Sequence, residues 1–576
     1  MSPPPPRPQP QPAPRVAGVT PYRVPSHPAP LHLDLRGNEG DLPDPSLWAE
    51  CTGDVERLRR YPDARSLEAA LAARVGASAS QVLVTAGGDD ALDRLCRAVL
   101  AEGREAILPA PGFEMTERYA RLAGGAVVEV PWPGERFPTD AVLAAVTDAT
   151  ALIVVTTPNN PTGAVATAED LARLSAGAPH AVLLVDLAYT EFAEEDLTPF
   201  AMSLPNAVLV RTFSKAWGLA GVRVGYAIGP RPILDWMRAA GAPYAVAGPS
   251  IALATAALAR GDARVRAFSA EVRTARLALE AALAGAGAEV VRGQANFAFA
   301  RVRDPLWVRD ALAGLGIGVR HFPGRPGLED AVRVGIPPRL EDAGAVAHGL
   351  ATALAPAALL FDMDGVMADV SGSYRAAILG AAAAFGVALS PAEVAEAKRA
   401  GDANNDWVLT QRLLAARGVT VALPAVTEAF EALYQGGPGQ PGLRETERLL
   451  GGADFYRRLA ARLPLAVVTG RPRRDAHHFL DLHGIADCFS AVVCMEDGPP
   501  KPAPDPVRAA LRQLGVTRAW MFGDTVDDVR AARAAGVVPL GVLPPGDPDP
   551  SLPAALFAAG AARVLDGVAA VQGLLP

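Results

Sequence analysis

The sequence predicts an α/β protein made of two successive wound α/β units, the second interrupted by a helical block. Three observations carry that prediction. Short apolar runs alternate with amphipathic helical spacing along most of the chain, the pattern of parallel strands covered by helices on both faces. The alternation stops between Ser371 and about Leu450, where the spacing is almost entirely helical. A length of 576 residues also exceeds a single core, and at about 150 residues per domain it allows three or four.

The elements follow in chain order. Met1 to Pro14 is mostly proline, cannot pack a core, and is read as part of a disordered tail covering residues 1–30. Buried strands are expected at Gln81–Thr85, Ala106–Leu108, Ala151–Thr156, Ala181–Val185 and Ala207–Arg211, with helices such as Asp89–Ala101 and Ala168–Ser175 between them. A helix near Leu340–Leu354 ends at Ala355-Pro356, and a strand, Ala357–Phe361, starts at once. The main boundary falls there, giving units 31–355 and 356–576 whose short linker makes them touch. Further strands are expected at Leu465–Thr469, Ala491–Met495, Ala519–Gly523 and Val538–Val542, and residues of about 371–450 form a helical insertion.

Composition narrows the function. A formal net charge of −8 argues against a nucleic-acid partner while leaving small anionic substrates open. Cys51, Cys96, Cys488 and Cys494 form no Cys-x-x-Cys pair and have no zinc-ligand spacing, so reduced thiols in a cytoplasmic protein are expected. No apolar run of about 20 residues and no signal-peptide pattern appears, so no membrane partner is expected.

Of 54 basic residues only Lys215, Lys398 and Lys501 are lysines. Arginine cannot replace a primary amine that must lose its proton and attack a carbonyl, so each lysine is a candidate for chemistry. Lys398, on a polar helical stretch, is read as an incidental survivor. Lys215 lies in Arg211-Thr-Phe-Ser-Lys-Ala-Trp-Gly-Leu-Ala-Gly-Val-Arg-Val-Gly-Tyr226, just past a strand and among small residues, where it can condense with an aldehyde cofactor. Thr212 and Ser214 supply hydroxyls and Arg223 a bidentate fork, both suited to a phosphate. Upstream, Thr-Pro-Asn-Asn-Pro-Thr-Gly163 follows one strand and Val-Asp-Leu-Ala-Tyr189 ends the next. In Ala86-Gly-Gly-Asp-Asp90 the amides of Gly88 and Asp89 open a helix whose N-terminus suits an anion.

Taken in order from about Leu31 to Leu354, these motifs resemble the fold-type I, class I/II aminotransferases, and within them the histidinol-phosphate aminotransferase group. The resemblance implies pyridoxal 5'-phosphate on Lys215, Asp186 beside the pyridine nitrogen, and Asn160 and Tyr189 at the ring hydroxyl. It gives the cofactor phosphate to Thr212, Ser214 and Arg223, the ring face to Phe113, and the substrate carboxylate to Arg333. Tyr61 would reach the cofactor of a neighbouring subunit, which implies a homodimer. Asn38-Glu-Gly-Asp-Leu-Pro departs from the family's first motif, Phe113 stands where tyrosine is usual, and Gly88-Asp-Asp replaces Ala-Asp-Glu. A phosphothreonine decarboxylase on the same scaffold is therefore the alternative.

In the second unit, Leu359-Leu-Phe-Asp-Met-Asp-Gly-Val366 sets two aspartates just past a buried strand. Asp362 can attack phosphorus once a cation screens it, and Asp364 can protonate a leaving oxygen and then activate water. Thr469 ends another strand, Lys501 sits in Lys-Pro-Ala-Pro, and Asp524 and Asp528 lie in Phe522-Gly-Asp-Thr-Val-Asp-Asp528, completing an oxygen-rich set suited to magnesium. These four motifs resemble the haloacid dehalogenase superfamily, whose Rossmann-like domain carries an inserted helical cap. The resemblance implies a phosphatase with Asp362 as nucleophile and Asp364 as acid/base. Phosphate would fall to Thr469 and Lys501, and Mg2+ to Asp362, Asp364, Asp524 and Asp528. The cap, including Ser371-Gly-Ser-Tyr374 and Asn404-Asn-Asp-Trp407, would select the substrate. Two such activities in one chain fit consecutive steps on histidinol phosphate.

Overall fold

Successive residues of the central strands pack into different hydrophobic clusters, which shows both faces of each main sheet covered. Ile153, Val155, Leu183 and Val185 join one cluster while Leu152, Val154, Val182 and Leu184 join another. The period-two alternation of side chains forces this split, and it explains why these strands read as continuous apolar runs. The computed structural model describes residues 11–17, 19–23, 26–401, 403, 405–437, 439–545 and 549–575. The opening through Pro10 and Asn404 lie outside them.

The first main sheet has seven strands in the order Val82–Thr85, Gly225–Ile228, Ala207–Thr212, Val182–Asp186, Thr150–Thr156, Glu105–Ala110 and Ala126–Pro131. Gly225–Ile228 runs antiparallel to both neighbours, and the other pairs are parallel. Two of these strands escape the sequence pattern. Ala126–Pro131 is an edge strand with a single buried residue, and Gly225–Ile228 is a four-residue return after Arg223. A four-stranded antiparallel sheet, built around Phe297–Arg301 and Ala331–Gly335, follows in the chain.

The second main sheet has six parallel strands in the order Phe489–Val493, Leu465–Val468, Ala358–Phe361, Ala519–Gly523, Val538–Val542 and Arg563–Leu565. Four helices, Tyr374–Ala384, Pro391–Ala400, Asp406–Ala416 and Leu423–Gln435, lie outside its strand order. The chain leaves the sheet unit through Ala368–Asp369 and returns through Arg448–Leu449, and these two short strands pair antiparallel.

The two units share a core. Trp307 and Trp520 meet edge to face at 4.6 Å, and their indole N–H groups donate to Ala353 O (2.9 Å) and Thr352 O (2.7 Å) of the helix that precedes the linker. Arg563 Nε donates to Asp310 Oδ2 at 2.6 Å across the same junction. The sequence assigns residues 1–30 to a tail, yet part of that stretch packs here. Ala29 is buried, His27 Nε2 lies 2.8 Å from Ala562 O, and Arg533 donates to Pro30 O at 2.6 Å. Proline content disfavours a core but does not prevent a segment from lying in a ready-made groove.

Truncating Trp307 to alanine is expected to destabilise the chain by about 3–5 kcal/mol. Because its cluster includes Trp520 and Phe522 as well as Ala353, the thermal inactivation midpoints of the two units should fall together. Loss confined to one unit would show that the junction is not a shared core.

Candidate functional site

Four loops at the carboxyl ends of the first sheet's strands and the N-terminus of helix Gly88–Val99 border a cavity of about 400 Å³. Lys215, Asp186, Tyr189, Thr212, Ser214 and Arg223 line it, as do Gly88, Asp89, Phe113, Asn160 and Arg333. Open sheets of this kind gather ligands where strand ends and helix N-termini converge.

Asp186 ends its strand almost fully buried, accepting one hydrogen bond from Ala188 N at 3.1 Å. Burial pushes its carboxyl up to about 7, with Asp89 adding to the rise and Lys215 opposing it. A cationic ring nitrogen in the cavity would offset that desolvation. Lys215 Nζ donates to Gly37 O at 2.9 Å and sits 5.6 Å from the centroid of the Tyr189 ring. Thr212 and Ser214 hydroxyls are 2.9 Å apart, and Arg223 Nη1 reaches Ser214 Oγ at 3.4 Å. Gly87 has φ +83°, and a Cβ there would stand 2.7 Å from Arg223 Nη2. Hydroxyls, guanidinium and helix amides thus form a cradle that a side chain at position 87 would fill, and its donor set fits a phosphate.

Arg333 is buried, and burial pushes it down to about 10, still protonated at neutral pH. It donates to Asn160 Oδ1 at 2.6 Å and to Arg36 O at 2.7 Å. Lining residues not singled out from the sequence include Tyr22, Asp34 and Arg36, and Asn38 was noted there only as part of a motif. Tyr22 falls within the stretch assigned to the tail, and no local motif marks it. Asn38 donates to the Tyr189 hydroxyl at 3.2 Å. Tyr61 is not brought to this cavity. It is 81 % exposed, stacks on Tyr244 at 4.7 Å, and lines a separate opening with Arg57 and Arg60.

In the second unit, carboxylate oxygens of Asp362, Asp524 and Asp528 all lie within 4.8 Å of one another. Lys501 Nζ donates to Asp362 Oδ1 at 2.6 Å and to Val468 O at 3.1 Å, and it also pairs with Asp528. Burial raises the Asp362 carboxyl well above its usual range, Lys501 opposes this, and the neighbouring acids add to it. Burial, reinforced by Asp528, pushes Asp524 up to about 7. For Lys501 burial works downward, but Asp362 and Asp528 overcome it and hold the ammonium charged. Two buried carboxylates and the half-buried Asp524 thus gather beside Lys501, and the all-oxygen set fits a hard divalent ion. Two glycines make the cluster possible. A Cβ on Gly365 would stand 2.2 Å from Asp524 Oδ2, and one on Gly523 would stand 2.1 Å from Asp528 Cβ.

Thr469 is buried beside this cluster, its Oγ1 accepting from Arg471 N at 3.1 Å. The Asp364 carboxylate is not among the clustered ligands; Arg471 Nε donates to its Oδ1 at 2.6 Å. The sequence places Asp364 among the metal ligands; here its carboxylate pairs with Arg471. Lys398 corrects another expectation. It pairs with Asp406 at 3.1 Å and lines a cavity of about 280 Å³ with Ser371 and Arg375 of the helical segment and Asp524 of the sheet unit.

The aminotransferase class I and II family model matches residues 34–343. The chain belongs to aminotransferase class I and II. Behind the aminotransferase half, residues 356–536 match the haloacid dehalogenase-like hydrolase model. The aminotransferase half is similar to a histidinol-phosphate aminotransferase of Dinoroseobacter shibae, 36% identical over 301 residues, 51% of this chain and 83% of that one. An aromatic amino acid aminotransferase of Mycolicibacterium paratuberculosis is 37% identical over 297 residues, 49% and 82% of the two chains. The chain is also 52% identical over 196 residues to an imidazoleglycerol-phosphate dehydratase of Phytophthora nicotianae; the match takes in 33% of this chain and spans only 43% of that relative. Among solved structures, a Sinorhizobium meliloti histidinol-phosphate aminotransferase in complex with pyridoxal-5'-phosphate aligns with TM-score 0.54 and 25% identity, over 60% of this chain and 98% of that one. No helix of the described residues is long and apolar enough to cross a membrane.

Proposed function

We propose that the chain is bifunctional, joining pyridoxal-phosphate-dependent transamination in residues 31–355 to magnesium-assisted hydrolysis of a phosphomonoester in residues 356–576. The observation that carries the first activity is the meeting, in one cavity, of the only lysine of the first unit with a buried aspartate whose carboxyl is raised to about 7. Bound there, pyridoxal phosphate would supply an electron sink. Asp186 would hold the ring nitrogen protonated, Asn160 and Tyr189 would orient the ring hydroxyl, and Phe113 would cover a face. Thr212, Ser214, Arg223 and the amides of Gly88 and Asp89 would hold the phosphate. Lys215 would bind the cofactor aldehyde and, once released, would carry the proton from the substrate's α-carbon to the cofactor carbon that had borne the aldehyde oxygen. Tyr61 serves the site of a second copy in a homodimer, and its exposure supports that role.

In the phosphatase, Asp362, Asp524 and Asp528 would hold Mg2+, which would supply screening of the negative charge. A carboxylate oxygen of Asp362 bonds to phosphorus as the ester P–O bond breaks, and Asp364 gives its proton to the departing oxygen. Water then attacks the phosphorylated Asp362, giving its proton to Asp364 and releasing inorganic phosphate. Thr469 and Lys501 hold phosphoryl oxygens. The helices between 371 and 450 act as the substrate-selecting cap, a role supported by their residues in the cavity beside Asp524.

For the amine, we propose L-histidinol phosphate, formed from imidazole-acetol phosphate and glutamate and then dephosphorylated by the second unit. The names of the relatives support this, and the buried guanidinium of Arg333 in the cavity wall suits a phosphorylated substrate. The mycobacterial relative favours a second reading, an aromatic amino acid. Four cysteines that form no disulfide support a cytoplasmic setting.

Absorbance of the cofactor-loaded protein separates these readings. L-histidinol phosphate should abolish the band of the lysine-bound cofactor and raise that of the aminated cofactor, while phenylalanine and aspartate leave the spectrum unchanged. A response to phenylalanine alone would transfer the assignment to aromatic amino acids.

A further inference from the structure

Arg471 is 1 % exposed and lies in the loop after Leu465–Val468, two residues beyond Thr469. Its guanidinium is divided between two carboxylates. Nε donates to Asp364 Oδ1 at 2.6 Å, while Nη1 and Nη2 donate to the two oxygens of Glu447 at 2.9 and 3.1 Å. The flat face lies 4.7 Å from the centroid of the Tyr374 ring, and Nη1 reaches the Tyr434 hydroxyl at 3.3 Å. Glu447 is itself fixed, accepting from Ser373 Oγ at 2.8 Å and from the Tyr434 hydroxyl at 3.2 Å.

The topology gives this network its meaning. Ser373 and Tyr374 follow the strand by which the chain leaves the sheet unit, Glu447 precedes the strand by which it returns, and Tyr434 is on the last of the four helices. Apart from Asp364, these partners therefore belong to the helical segment or to its two crossings. A guanidinium forks rigidly, so its orientation toward Glu447 dictates where its Nε meets Asp364.

We infer that Arg471 is a positioning residue for phosphoryl transfer: it sets the Asp364 carboxylate for proton delivery and ties that setting to the seating of the helical segment. The inference rests on the phosphatase reading above. When the P–O bond breaks, its electron pair stays on the leaving oxygen and the proton on Asp364 joins it. An alkoxide needs that proton to depart; 4-nitrophenolate leaves readily without it. A misplaced Asp364 must therefore harm alkyl esters far more than activated aryl esters.

The test compares benzyl phosphate with 4-nitrophenyl phosphate, on the full chain with Mg2+, for Arg471→Lys, Arg471→Met and Glu447→Gln. For the Arg471 variants, kcat/KM on benzyl phosphate should fall about 100-fold or more, the scale of general acid catalysis, and on 4-nitrophenyl phosphate less than about 10-fold. Glu447→Gln keeps the Arg471–Asp364 contact and should show the same selectivity on a smaller scale. Should the Arg471 variants fail to fold, judged by melting temperature, Glu447→Gln decides alone. Equal losses on both esters, or none, would overturn the inference. Wild-type protein inactive on both esters would instead overturn the phosphatase reading, and the inference with it.

Discussion

Replacing Lys215 with alanine will abolish transamination, by about 10⁴-fold or more, and leave phosphomonoester hydrolysis at its wild-type rate. The size of the effect follows from what the cavity lacks besides this residue. Lys215 is the only primary amine of the first unit's side chains, and Lys398 and Lys501 are both committed to carboxylates in the second unit. Nothing else lining the cavity can attach the cofactor aldehyde and then return a proton. Lys215→Arg should fail as completely, because a guanidinium keeps its proton in proteins. Single-turnover absorbance with L-histidinol phosphate reads the first activity, and release of inorganic phosphate reads the second. Residual transamination above about one per cent would remove Lys215 from its assigned role.

The reciprocal substitution, Asp362→Asn, should eliminate phosphate release, again by about 10⁴-fold or more, and spare transamination. Asparagine preserves shape while removing the nucleophilic oxygen and one of the three clustered carboxylates. Lys501 keeps Asp528 as an ionic partner, so the loop that holds it should stay in place. Two clean and opposite losses would establish two independent sites in one folded chain. If Asp362→Asn reduced both activities, the shared core at Trp307 and Trp520 would be the route by which one unit's packing reaches the other.

Much of the architecture was legible because it is encoded locally. Val182–Asp186 and Ala519–Gly523 read as strands since every residue in them is buried, leaving an unbroken apolar run closed by a turn residue. Edge strand Ala126–Pro131 was not legible, because only one of its residues is buried and Glu129 interrupts its apolar run. Site residues within a few positions of a strand end, such as Lys215, Asp186, Asp362 and Asp524, could be named from the sequence, since topology sends strand ends to a common rim.

The sequence by itself determined the two α/β units and put a lysine and carboxylates at their strand ends, because strand period, turn residues and motif spacing act over a few residues. Only the tertiary structure decided which distant side chains meet. It brought Tyr22 from the supposed tail to the cofactor cavity, and it left Tyr61 exposed on another face. It carried Lys398 to the opening beside Asp524, and drew Asp364 away from the clustered carboxylates to a guanidinium 107 positions further along. Such meetings depend on burial and charge compensation between elements packed together in space, and no periodicity along the chain records them.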